Sequence, residues 1–504
     1  MPSPRRTTGT RLRCFPRWRN DSTERIAESR RWRDGAQLGV KRMERKNPIG
    51  DPLMVARGYR VAFRVAFGLG RILLVWLLLS LCVPILAAGP KQELTPVGAE
   101  RTGNADGSIP AWTGGLISPP TTWSSGEAYT DPFADDKPLF EITARNAEKY
   151  RERLSPGLLA LLARYPNFRM PVYPTRRTAA YPKEIIDHAA EQAPKVQLVE
   201  GSVQHVGTST IPFPVPKNGL EAIWNHLLRY LGGGVERSFD AFSVRPNGDY
   251  LRIGFHDQRV YDANFDQAMP NRLFSYLGYF LSPADFVGTI YLVHEPIDQV
   301  KESRKAWIYN AGQRRVRRAP DLAYDNVQNG SDGLAVVDQY DGYNGAPDRY
   351  DWTILGKQEI YVAYNGYRIG DKKIDYDQII RKGSVNPDLM RYELHRVWVL
   401  EARLKPGQSH VYARRVFYLD EDSWSVLLSD AYDSHGMLWR TGIHALVQYY
   451  DAVVPWYRME IWHDLSNGAY VLTGLDNKYK EPWKFGVKGR MADYQPDALR
   501  RMGR

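Results

Sequence analysis

The sequence predicts an α+β protein built on a broad, curved antiparallel β-sheet with one strongly apolar face. Three observations carry this prediction. Strand patterning starts near residue 240 and continues towards the C-terminus, broken by a loop-rich stretch at 321–351 dense in Asp, Asn, Gly and Tyr. Within it, four segments (392–404, 409–419, 424–434 and 437–449) read as a meander. Their connectors are Lys405-Pro-Gly-Gln408, Asp420-Glu-Asp-Ser423 and His435-Gly436, all suited to turns. Ahead of the strands, only short helical patterns occur.

Taken as hairpins, those turns fix a register. Trp398 falls opposite Arg415, Leu419 opposite Trp424, Phe417 opposite Val426, and Leu428 opposite Ile443. One face then collects Leu394, Trp398, Leu400, Phe417, Leu419, Val426, Leu428 and Ile443, whereas a slip of one residue would bring Glu393, Glu401 and Arg403 onto it. Arg396, Arg415 and Asp430 interrupt the face. They read either as a buried ion network with Arg415 stacked on Trp398, or as an arginine pair awaiting an anionic head group in an apolar cavity. A second hairpin, Ala306–Tyr309 turning at Ala311-Gly312 into Arg314–Arg318, presents a small basic patch. Such a patch is a solvated edge or a contact for acidic lipid or a partner.

Upstream, residues 139–163, 185–192 and 219–231 carry helical spacing, with Pro156 inside the first and Gly232-Gly-Gly234 stopping the last. Residues 90–135, rich in Gly, Pro, Thr and Ser, hold Trp112, Trp123 and Tyr129, which suggests an extended arm tied onto a surface. No internal repeat or linker-like break follows, so 136–504 reads as one domain.

The N-terminal region is of a different kind. Arg57, Arg60, Arg64 and Arg71 precede the apolar run Ile72–Val83, which ends in Pro84-Ile-Leu-Ala-Ala-Gly89. Positive flank, short apolar run and small residues predict a cleaved secretory signal over 54–89, and hence the periplasm of a Gram-negative bacterium. The run is short for an inner-membrane anchor, which needs about 20 residues. Residues 1–53 are Arg-rich and irregular, and are expected to be a disordered extension or to lie upstream of a true start at Met54.

Charge follows the same division. The chain holds 68 Lys and Arg against 57 Asp and Glu, a net of +11. Residues 1–88 supply 18 of the basic and six of the acidic groups, leaving 50 against 51 in the remainder. A near-neutral body exerts no general pull on nucleic acid. Cys14 and Cys82 both lie in the leader, so the body has no disulfide, thiolate metal site or cysteine nucleophile.

Catalytic signatures are missing. Gly330-Ser-Asp-Gly333 has the wrong spacing for a nucleophile elbow, and His294-Glu295 runs into Pro296 rather than a zinc-binding helix. No phosphate-cradling or dinucleotide fingerprint follows a strand. Asp325-Asn-Val-Gln-Asn-Gly330 lacks an oxygen ligand at its third position for calcium. Neither cofactor nor metal is expected, and His395 and His444 read as structural.

Several long segments resemble a known family. They are Leu94–Gly115, Gln313–Pro320, Asn329–Gly333, Asn344–Trp352, Arg391–Val399 and Tyr418–Trp424. Together they resemble an uncharacterised family of proteobacterial exported proteins classed with the outer-membrane lipoprotein-sorting (LolA/LolB-like) superfamily, over nearly all of 91–490. The resemblance implies an unclosed half-barrel whose concave face is covered by helices and whose apolar cavity carries acyl chains. It also implies company with a resistance-nodulation-division type transporter and an outer-membrane protein, and it brings no catalytic residues.

The expected function is therefore a non-catalytic periplasmic carrier or chaperone for a lipid, lipoprotein or other hydrophobic cargo. Leu394, Trp398, Phe417, Val426, Leu428 and Ile443 are the candidate cavity wall, with Arg396 and Arg415 as head-group contacts. An envelope interaction or sensor module with a solid core and an envelope hydrolase with a dispersed site are the alternatives.

Overall fold

A computed structural model describes residues 93–204, 211–299, 301–320 and 322–503. The predicted signal segment and the extension before it lie outside the described residues. Those residues form part of one compact unit dominated by a 16-stranded sheet.

Two meanders build that sheet. The first is β1 (Gly234–Val244), β2 (Tyr250–Tyr261), β3 (Arg272–Ser282), β4 (Ile290–Pro296), β5 (Lys305–Asn310) and β6 (Arg315–Arg318). The second is β7 (Tyr350–Ala363), β8 (Tyr392–Leu404), β9 (Arg414–Asp420), β10 (Val426–Tyr432), β11 (Leu438–Tyr449), β12 (Val454–Asp464) and β13 (Tyr470–Leu475). β13 pairs with β1, so the order runs β7 to β13 and then β1 to β6, antiparallel throughout. Three short strands complete it: Met170–Val172 meets β8 in parallel, Phe140–Ile142 pairs with Met170–Val172, and Lys484–Phe485 lies beside β1. The sheet is unclosed, with β6 and β7 on opposite sides of it. The connection between them must therefore cross the sheet, and it does so over one face.

Register identifies that face. Leu400 lies opposite Phe417, Phe417 opposite Ser429, Ser429 opposite Gly442, and Gly442 opposite Trp462. Trp462 then lies opposite Val471, Val471 opposite Ser243, and Ser243 opposite Leu251. Directly opposed residues share a face. This one, the concave face, is thus continuous from β8 to β2. Helix α3 (Gly219–Leu227) packs on its β7–β8 end, with Ala222 and Ile223 against Leu400, Phe417 and Val426. Its cap is Asn218, whose side chain accepts the Glu221 N–H at 2.9 Å.

The opposite face of β10 and β11 receives α1 (Pro156–Arg164). Ser155 caps α1 and Pro156 occupies its first position, which sets the start of the helix. Gly157 permits the close approach: a Cβ there would fall 2.0 Å from Thr441 Oγ1. Helix α2 is Lys183–Gln192 and α4 is Pro496–Met502. Residues 139–163 are thus not one helix. Phe140–Ile142 pairs with Met170–Val172, and a 3₁₀ turn at Ala147–Arg153 separates it from α1. The predicted helix at 219–231 stops at Leu227.

The N-terminal segment lies on this body. Trp123 and Tyr129 pack against Tyr450 with ring centroids 5.3 Å away in each case, and Tyr129 donates to Asp451 at 2.9 Å. Trp424 Nε1 donates to the Val97 carbonyl at 2.9 Å.

Candidate functional site

The concave face is filled at one end and hollow at the other. At the β8–β10 end, α3 and the crossing connection close it. Asp338 of that connection bonds Arg415 at 2.8 Å and His410 at 3.1 Å, all three buried. Further along, Asp341 bonds Arg229 at 2.7 Å and Arg259 at 3.1 Å, and Trp456 Nε1 at 2.7 Å. Burial alone would raise Asp341, but Arg229 and Arg259 prevail and hold it at about 2. Glu460 on β12 accepts the Gly342 N–H at 2.8 Å and the Asp341 N–H at 3.2 Å. Buried ions that are individually costly to desolvate thus fix the connection to the sheet by pairing.

The hollow end lies over β1–β4 and β13. A cavity of about 170 Å³ is walled there by Phe239, Ile253, Phe255, Phe274, Phe280 and Tyr291. It has room for on the order of ten water- or methylene-sized groups. Strand alternation explains the aromatic wall: Phe239 and Phe255 are opposed in register and both share the concave face with Ser243 and Leu251. The rings tile edge-on, with Phe255 and Phe280 5.0 Å apart at 77°.

Polar groups gather at the margin. Arg259, 4 % exposed, lines the cavity, and its Nε has no hydrogen-bond partner. Burial opposes its charge, yet Asp341 beside it raises its pKa above the usual arginine range. Gln328 also lines the cavity, and its buried Oε1 is likewise unpartnered. Arg304 pairs with Glu295 and donates to the Asn344 carbonyl at 2.8 Å. An apolar hollow with an orphan donor and an orphan acceptor suits an amphiphile better than a pure hydrocarbon.

The residues nominated from sequence are placed otherwise. None of the eight lines this cavity. Trp398, Phe417 and Val426 belong with α3 to the packed concave core, while Leu394, Leu428 and Ile443 belong to the larger core. The single apolar face fails at a bulge: Leu419 pairs with Val426, but Tyr418 pairs with Leu428, so Val426 and Leu428 point to opposite sides. The first hairpin is also longer than expected. Trp398 faces Leu419, and Arg415 faces Ala402.

Arg415 stacks near Phe417 and Tyr343, at 5.0 and 5.2 Å, rather than on Trp398. Arg396 fastens the N-terminal segment, donating to the Thr102 carbonyl at 2.7 Å. Asp430 faces α1, accepting from the Gly157 N–H at 3.1 Å and from Thr441 at 2.8 Å. The ion-network reading therefore holds for Arg415, though with different partners, and the two arginines do not form a head-group pair. The basic hairpin forms as expected, with Arg317 opposite Ile308 and Ile308 opposite the cavity residue Tyr291. Phe239, Phe255 and Phe280 were visible as strand aromatics, but nothing local marks them as unpacked.

Comparison with known proteins settles the family. The model described as "Protein of unknown function (DUF1329)" matches residues 141–500. The chain belongs to the DUF1329 family. Uncharacterized protein PA3922 of Pseudomonas aeruginosa is 46 % identical over 424 residues, covering 83 % of this chain and 93 % of that one. Among solved structures, a putative outer membrane lipoprotein-sorting protein domain from Vibrio parahaemolyticus overlaps 56 % of this chain and 98 % of its own. The TM-score is 0.40 and the identity 15 %. A DUF1329 protein from Desulfovibrio piger overlaps 53 % of this chain and 92 % of its own, with a TM-score of 0.36 and 16 % identity. This family matches the one its sequence segments resemble. Among the described residues of this DUF1329 chain, no helix is long and apolar enough to cross a membrane.

Proposed function

We propose that this DUF1329 protein is a non-catalytic carrier in the periplasm. Its cargo is an amphiphile with an acyl or similarly apolar body and a small polar head. One observation carries the reading: the aromatic hollow on the concave face ends in Arg259 and Gln328, each with a buried polar atom that has no partner. Burying an apolar chain there supplies roughly 25 cal/mol per Å² before ordering costs. A polar head supplies the missing hydrogen bonds and so favours amphiphiles over plain hydrocarbon.

Mass spectrometry of organic extracts of the protein, purified without detergent, tests this. A stoichiometric amphiphile, lost when Ala241→Trp fills the hollow, supports the reading. Protein that is empty and refuses fatty-acid and lysolipid probes sinks it. A transporter of the resistance-nodulation-division type and an outer-membrane protein are the partners to seek by crosslinking.

A second reading is favoured by the crossing connection. Because it and α3 fill most of the concave face, an interaction module with a largely solid core is the reading to adopt if no cargo is found.

A further inference from the structure

A second buried site lies away from the hollow, where the end of β8 meets the turn after β9. Glu393 and His395 come from β8, Asp420 is the last residue of β9, and Asp422 and Ser423 belong to the turn after it. All are buried; Glu393 and Asp420 have no exposed surface. One ligand atom each from His395, Asp420 and Asp422 can be chosen so that all lie within 4.8 Å of one another.

Each of the three is oriented through a different contact. His395 Nε2 lies 3.1 Å from Glu393, and the ring stacks on Tyr364 at 3.9 Å between centroids. Glu393 is itself fixed by Arg391 at 2.6 Å and Asn365 at 3.0 Å. With the Nε2 proton given to that carboxylate, Nδ1 presents its lone pair. Asp420 takes Ser423 at 2.6 Å and Tyr364 at 3.0 Å on Oδ2 alone. Its Oδ1 is buried with no hydrogen-bond partner and lies 4.0 Å from His395 Nδ1. Asp422 is held by Arg177 at 2.6 and 2.8 Å and keeps a further lone pair on each oxygen.

Two acceptors thus face each other across a gap too long for a hydrogen bond. An orphan carboxylate oxygen at full burial is costly. Two bonds of about 2.0–2.2 Å span such a gap at a wide angle, and a carboxylate behind a ligating histidine is the usual second layer of a metal site.

We infer that His395, Asp420 and Asp422 bind a divalent cation of the zinc type, with Glu393 as the positioning residue behind His395. One nitrogen and two carboxylate oxygens suit a borderline dication better than calcium or magnesium, which favour all-oxygen shells. The site does not depend on the hollow and would tie β8 to the end of β9 and the turn after it, whatever the protein carries.

The test is zinc binding by the EDTA-stripped protein, read by elemental analysis after gel filtration and by competition with a chelating dye. One zinc per chain with a raised Tm is expected. Glu393→Gln should weaken binding about 10- to 100-fold, and Asp420→Asn and His395→Gln should weaken it more. The wild-type stoichiometry decides even if a variant fails to fold. No uptake at micromolar free zinc overturns the inference. So does uptake that Asp420→Asn and His395→Gln, both shown folded by circular dichroism, leave unchanged, because the ion then sits on other histidines.

Discussion

Replacing Asp430 by asparagine should stabilise this protein at neutral pH. Asp430 has no exposed surface, and burial pushes its carboxyl from 3.8 up to about 6 despite hydrogen bonds from Thr441 and Gly157. The folded state therefore holds a proton that the unfolded state releases near 3.8. As pH rises from 3.8 to 6, wild type loses stability; above 6 the penalty is complete, and below 3.8 it vanishes. A shift of about two units corresponds to about 3 kcal/mol, which is an upper bound on the gain. For a body of roughly 400 residues that is a Tm rise of roughly 3–4 °C.

Asparagine can satisfy the site. Its oxygen accepts the Gly157 N–H, and its NH₂ donates to Thr441 Oγ1, which reverses its own role. Thermal and urea unfolding of both proteins, at neutral pH and again near pH 3.8, measure the effect. A destabilised D430N at neutral pH, or a difference that does not shrink on acidification, would refute the reasoning that the buried charge is the costly element.

The remaining predictions concern the concave face. Arg415→Met removes one member of a buried pair with Asp338 and should cost about 3–5 kcal/mol in urea unfolding. Adding Asp338→Leu should recover part of that loss. Ala241→Trp should cut uptake of a fluorescent fatty acid at least tenfold in a displacement titration while leaving the unfolding midpoint nearly unchanged. Arg259→Met leaves Asp341 its bond to Arg229 and should weaken anionic amphiphiles more than neutral ones of equal chain length, by about 1.5–3 kcal/mol. The exposed arginines Arg314, Arg315, Arg317 and Arg318 should give a salt-sensitive attraction to anionic vesicles in sedimentation, and charge-reversal at Arg315 and Arg317 should abolish it.

Much of the architecture was legible in the chain, and the failures have physical causes. β8 matches its predicted span of 392–404, and the pairing of Leu428 with Ile443 was read correctly. The β8–β9 register lies four residues from the one a tight turn at Lys405–Gln408 predicts, because Lys405–Ala413 is all connection. An even shift preserves the face, however, so Leu400 and Phe417 still lie together. The bulge after Tyr418 changes parity by one, and no residue type there announces it. The cavity lay beyond reach for a different reason. Whether an aromatic face is packed or hollow depends on where the connection between β6 and β7, remote in sequence from β1 and β2, comes to rest. Nothing in the loop-rich stretch at 321–351 marks Asp338 and Asp341 as residues buried against the sheet.

The crossing connection also joins strands that lie far apart in the sheet. Asp338 and Asp341 are three residues apart, a reach of about 11 Å at most. They are tied to Arg415 on β9 and Arg259 on β2, six inter-strand steps apart, or about 29 Å measured along the sheet at about 4.8 Å per step. Two long side chains and a three-residue chord bridge that arc. The connection thus acts as a brace between strands that never pair with one another.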